Sequence, residues 1–211
     1  MQTLAVDPQS PDPAVLALAV DLLRGGGVVA FPTETFYGLG ADPRSEDGLE
    51  ALWSAKGRVA GAPLLLLLGG MEQALQAARD LPPCFDVLAR IFWPGPLTLG
   101  VPARDDLSAR VTAGTGTVGI RVPGLTLPRA LARSLGGPIT GTSANRSGST
   151  PASTAEETRE SLGSGIALVL DGGPAPGGSP STVVDLCGGE IRLIRQGVLP
   201  FERILASLSR L

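Results

Sequence analysis

Glycine and proline punctuate this chain from end to end. They supply 29 and 19 of its 211 residues, with no linker between compositional halves and no internal repeat. Both residue types interrupt regular structure, and the segments between them alternate helical and strand patterns. That alternation argues for α/β layers. Asp12-Pro13 caps and starts a helix that runs to the glycines at 25–27. "VVAFPT" (28–33) reads as a buried strand leaving into a loop. Ser45 caps a helix over 46–56, closed by Gly57. The leucine run 64–68, bounded by Pro63 and Gly69, is too short for a helix and reads as a buried strand. Helices are expected over 71–80 and 84–92, and strands at 97–101, 117–122, 138–142, 166–170, 182–187 and 190–195. Ser153 and Glu156 form a capping box for a helix over 154–162, and Pro200 starts a final helix. Gly188-Gly189 between two strand-like runs marks a hairpin, so strand directions are mixed. The length suits one domain, residues 1–211.

No apolar run reaches the ~20 residues of a membrane helix, and the N-terminus lacks the basic start and apolar middle of a secretory signal. A cytoplasmic protein with no membrane partner is expected. With a net charge of −3 and a pI near 5.0, a broad nucleic-acid-binding face is not expected.

Histidine is absent, which excludes a Ser-His-Asp triad, a His general base and His-ligated metals. Cys84 and Cys187, about a hundred residues apart by the sequence, make neither a zinc cluster nor a disulfide framework. Chemistry is left to Lys, Arg, carboxylates, hydroxyls, backbone amides or a loosely held Mg²⁺. "GTGTVG" (114–119) matches G-x-G-x-x-G, but a strand follows it where a dinucleotide site needs a helix. It reads as a turn into that strand or as a backbone nest. "GTSAN" (141–145) lacks the final glycine of a nucleophile elbow and any base for Ser143. No Walker A loop precedes the lysine.

What remains is a set of anion-binding side chains. Of 17 basic residues only Lys56 is lysine; it sits with Arg58 where a helix gives way to a strand. Arg121 interrupts an apolar strand. Ser143 and Asn145 follow a strand end, where α/β folds place ligands, and Arg195 ends another strand. Each has a plainer reading as well. A lysine in a last helical turn meets the helix dipole, an arginine alternating out of a sheet usually faces water, and Ser and Asn form turns. Asp42 and Asp185 read as solvated loop or strand-end groups.

Seven ordered segments resemble the YrdC-like family of threonylcarbamoyl-AMP synthases: "FPTETFYGLGAD" (31–42), "KGR…APL" (56–64), "FWPGPLTL" (92–99), "TVGIRVP" (117–123), "TSANRSG" (142–148), "STVVDL" (181–186) and "IRQG" (194–197). The resemblance implies a twisted, open mixed sheet flanked by helices, with a large basic cleft. It implies condensation of L-threonine, bicarbonate and ATP, with Mg²⁺, to threonylcarbamoyl-AMP and pyrophosphate, the product reaching tRNA through a downstream transferase complex. Thr35 and Arg121 would hold threonine. Arg58, Thr117, Ser143 and Arg195 would hold ATP. Lys56, Arg58, Ser143 and Asn145 match the family's K-x-R…S-x-N set and would be catalytic; no residue is assigned to a metal. The family usually carries Pro and a polar residue where this chain has Val59 and Ala62, and often a histidine where it has Leu67. Other readings on the same fold are a non-catalytic nucleotide- or RNA-binding paralogue and a carbamoyl-transfer domain with another substrate.

Overall fold

The computed structural model describes residues 1–57 and 63–208. Arg58, Val59 and Ala62 therefore lie outside the described residues. In chain order the elements are β1 (Gln2–Ala5), α1 (Pro13–Arg24), β2 (Val29–Pro32), β3 (Tyr37–Gly40), α2 (Glu46–Lys56), β4 (Leu65–Leu67), α3 (Phe85–Phe92), β5 (Leu97–Pro102) and α4 (Ala109–Thr112). They continue with β6 (Thr117–Arg121), α5 (Thr126–Leu135), β7 (Ile139–Thr140), β8 (Thr142–Ser143), α6 (Ala155–Leu162), β9 (Leu168–Asp171), β10 (Thr182–Asp185), β11 (Arg192–Arg195) and α7 (Phe201–Leu208).

The architecture is α/β with mixed strand directions, and the strands divide into two sheets. One runs β1-β9-β2-β3-β8 and the other β11-β10-β5-β6-β4-β7. The strand expected at 138–142 is where they meet. β7 pairs with β4 in the second sheet and β8 with β3 in the first. Gly141 stands between them, and its N–H donates to Leu65 O at 2.8 Å. A Cβ at Gly141 would fall 2.5 Å from Leu67 Cγ, closer than packed atoms come, so only glycine makes this crossing.

Local chemistry explains the elements that position the site. Ser45 Oγ accepts from Gly48 N at 3.1 Å, and α2 ends at Gly57 in the left-handed region (φ 59°), as a C-terminal glycine allows. β4 lies between parallel β6 and antiparallel β7. A central strand covered on both faces carries a continuous apolar run, and Leu66, Leu67 and Leu68 are fully buried. The turn at Gly188-Gly189 joins antiparallel β10 and β11.

Two expected helices differ. Residues 71–80 give only a 3₁₀ turn at Met71–Gln76, after which Ala78 bridges to Ala103. The cap of α6 is Thr154 rather than Ser153: Thr154 Oγ1 accepts from Glu157 N, and Glu157 Oε2 accepts from Ser153 N. That register buries Ala155, Thr158 and Leu162 along one stripe. Two helices were not anticipated, the single-turn α4 and the longer α5. α5 buries Leu127, Leu131 and Leu135 at four-residue spacing and packs on α1, forming with Phe31, Leu67 and Ile139 a second core cluster. No helix among the described residues is long and apolar enough to cross a membrane.

Candidate functional site

Between the two sheets lies a cavity of about 1020 Å³. Thr35, Lys56, Thr117, Arg121, Ser143, Asn145 and Arg195 all line it. Those are all the site residues expected from sequence except Arg58. The charged lining among the described residues is Lys56, Arg121, Arg195 and Asp185.

One wall is the β2–β3 turn. Thr33 Oγ1 donates to Phe36 O at 2.7 Å and accepts from Thr35 N at 3.1 Å, while the Thr33 and Thr35 hydroxyls meet at 3.0 Å. This side-chain turn fixes Thr35 at the rim. The adjoining wall is the end of α2 with the segment after β8. Lys56 is only 3% exposed. Its Nζ donates to Ser143 O at 2.6 Å and Asn145 O at 3.0 Å, and Ser147 N donates to Lys56 O at 3.0 Å. The single lysine thus clamps the loop that carries Ser143 and Asn145. A compact ammonium with steerable donors suits two converging carbonyls better than a planar fork. Asn145 Nδ2 donates to Arg146 O and Ser149 O at 2.8 and 2.6 Å. Both amide hydrogens are therefore spent, and the buried Oδ1 has no partner among the described residues. The cavity is offered an acceptor there.

Arg121 contrasts with the lysine. It is 4% exposed, and its Nε finds no hydrogen-bond partner among the described residues. Glu34 faces it across 3.9 Å, an ion pair too long to be a hydrogen bond. Burial pulls the Arg121 pKa down and the Glu34 charge pushes it back. Arg195, more open, donates from Nη2 to Ser181 O at 3.0 Å and Ser181 Oγ at 3.2 Å, and Ser181 Oγ also meets Thr98 Oγ1. Partial burial, then the Arg121 charge, lower its pKa. Two guanidinium groups that repel across one cavity are relieved by an anion between them.

Neither acidic group is a solvated end. Asp42 is buried in a two-pronged pair with Arg44. Asp185 lines the cavity but accepts from Arg192 at 2.6 Å and from Cys187 N at 3.0 Å. Burial pushes its carboxyl up, and these hydrogen bonds outweigh that and hold it low. Among the described residues no group of three His, Cys, Asp or Glu could hold a metal. Leu67, the position matched to a family histidine, pairs in register with Arg121 yet packs into the core beneath Gly141; Leu64 and Leu65 line the cavity instead. Thr33, Glu34 and Ser181 are site neighbours that sequence reasoning missed. A hairpin turning at Gly188-Gly189 sets Val183 against Arg195, so the Ser181–Arg195 approach was within reach of the turn reading.

Fold and cavity together define an α/β protein with mixed sheets meeting over a pocket lined by Lys56, Arg121, Arg195 and Asp185. The family model described as Telomere recombination (Sua5, YciO and YrdC) matches residues 21–197, and the chain belongs to this family. Curated relatives named threonylcarbamoyl-AMP synthase include one from Pyrococcus abyssi, 38% identical over 189 residues (90% of this chain, 56% of the relative). Another, from Bacillus subtilis, is 42% identical over 202 residues (95% of this chain, 58% of the relative). The chain thus spans little more than half the length of these two relatives. Among solved structures, that of Pyrococcus abyssi Sua5 complexed with L-threonine superposes with a TM-score of 0.93 at 35% identity, covering 99% of this chain and 61% of that one.

Proposed function

We propose that this chain, as one domain over residues 1–211, forms threonylcarbamoyl-AMP from L-threonine, bicarbonate and ATP in the cytoplasm. In this reading the product serves the threonylcarbamoyladenosine modification of tRNA through a downstream transferase complex. The observation that carries the reading is the convergence of Thr35, Arg121, Ser143, Asn145, Thr117 and Arg195 on one cavity, with a buried Arg121 Nε that has no hydrogen-bond partner among the described residues. The names of the relatives and the threonine complex of Pyrococcus abyssi Sua5 support the choice of substrates.

The chemistry asks little of proton-transfer groups. The threonine amine adds to bicarbonate with loss of water, giving a carbamate. A carbamate oxygen then attacks the α-phosphorus of ATP, the bond to the β-phosphate oxygen breaks, and pyrophosphate leaves. Charge grows on phosphoryl oxygens, so the protein's part is orientation and electrostatic stabilisation. Arg121 takes the threonine carboxylate in its planar fork, and the Thr35 hydroxyl takes a second polar group. Asn145 Oδ1 accepts an N–H of the bound substrate. Arg195, Thr117 and Ser143 hold the nucleotide along a basic cleft, with Arg58 completing the set. Lys56 acts by holding Ser143 and Asn145 in place. Mg²⁺ enters as the nucleotide's counterion, part of the substrate.

The test is pyrophosphate release by purified protein with ATP, Mg²⁺ and bicarbonate, with and without L-threonine. Threonine-dependent release supports the synthase. Nucleotide binding without turnover would replace it with a binding paralogue, and turnover with another amine or carbamoyl donor would move the substrate class.

A further inference from the structure

Behind Arg121, outside the cavity lining, stands a carboxylate with no task in the reaction. Both oxygens of Glu34 are buried and without hydrogen-bond partners among the described residues, and its methylenes lie over Gly124. Among the described residues its ion-pair partner is Arg121, at 3.9 Å from Nε. Buried carboxylates are normally satisfied by donors. This one is arranged so that its charge, rather than a directional bond, acts on the guanidinium. We infer that Glu34 is the resident counter-charge of Arg121, a positioning residue that balances the guanidinium in the empty cavity and competes with the carboxylate of an incoming amino acid.

The inference rests on the threonine reading above. Arg121 and Arg195 both line the cavity, while Glu34, outside that lining, stands 3.9 Å from Arg121 Nε. Without Glu34, Arg121 would keep the repulsion of Arg195 and lose its ion-pair partner among the described residues. With it, part of the Arg121 charge is already answered, and an arriving carboxylate meets a repelling like charge behind the fork. Because no hydrogen bond joins Glu34 to Arg121, removing the charge costs little orientation and removes that repulsion. Glu34 therefore restrains affinity, which favours release of the product's carboxylate.

Calorimetric titration of L-threonine and of L-threoninol, which lacks the carboxylate, tests this. Wild type, Glu34→Gln and Glu34→Met are compared, the second keeping an uncharged chain of similar length over Gly124. The expected result is threonine binding tighter by roughly tenfold in both variants, the scale of a like-charge interaction across a poorly screened ~7 Å. Threoninol binding stays unchanged, and threonine raises the melting temperature of the variants more than that of wild type. A merely structural role would shift both ligands together. Threonine affinity unchanged or weakened in either folded variant overturns the inference while leaving the threonine reading intact. No threonine binding by any of the three proteins overturns both.

Discussion

Two buried cations line the same cavity and are treated in opposite ways. Lys56 is held by the protein: its ammonium donates to two backbone carbonyls, and its own carbonyl accepts from the same loop. Arg121 is equally buried, yet its Nε has no hydrogen-bond partner among the described residues and its ion pair with Glu34 spans 3.9 Å. A buried charge that is satisfied builds structure. A buried charge that is left unsatisfied costs stability and is retained where a ligand repays it. In the proposed reading Lys56 shapes the site and Arg121 receives what the site binds.

The largest effect is expected where the cation is satisfied. Lys56→Met leaves the Ser143 and Asn145 carbonyls without their donor and should cost about 3–5 kcal/mol in urea unfolding. Binding of ATP and threonine should weaken together; loss of ATP binding alone at unchanged stability would make Lys56 a ligand group and erase the contrast. Arg121→Met should weaken threonine binding roughly 100-fold or more, the worth of two charged hydrogen bonds, with ATP affinity little changed. The double variant Arg121→Met/Glu34→Gln removes the pair together and should melt at or above the wild-type temperature. A large drop would mean that the arginine is structural after all.

A further prediction concerns the strand that follows the Thr33–Thr35 turn. Tyr37 is fully buried, and its hydroxyl donates to Gly173 O at 2.7 Å. Burial, then the Asp171 charge, push its pKa up to about 12. An unfolded phenol loses its proton near pH 10, while the native one keeps it. The stability contribution is thus full below pH 10 and is lost as pH rises through about 12, by about 2.5 kcal/mol. Tyr37→Phe should flatten that alkaline arm in a melting series. The smallest effect is expected from Thr35→Val, which removes one hydroxyl and should raise the threonine dissociation constant about fivefold without moving that for ATP. Equal weakening of both would place Thr35 outside the threonine subsite.

Much of the frame was legible from residue patterns because it obeys local rules. Asp12-Pro13, Ser45 and Gly57 mark helix ends through hydrogen bonds to near neighbours, and the leucine run reports a strand covered on both faces. What escaped depends on distant partners. α5 is amphipathic with only a narrow leucine stripe among arginines, and its packing on α1 joins segments far apart in sequence. The single apolar-looking strand at 138–142 divides because Gly141 lets the chain pass over Leu67 from one sheet to the other. Arg121 in an apolar strand and the lone Lys56 were visible as oddities. Their opposite roles were not, because carbonyls that satisfy an ammonium leave no trace in composition. Glu34 sat unnoticed in a quoted motif, since nothing local tells a buried carboxylate from a solvated one.

The most direct measurement is a structure of this protein with L-threonine bound. The account predicts the threonine carboxylate on the Arg121 guanidinium, both oxygens within about 3 Å of its nitrogens, and Lys56 still donating to the Ser143 and Asn145 carbonyls. A threonine seated elsewhere in the cavity, with no ligand contact to Arg121, would contradict it.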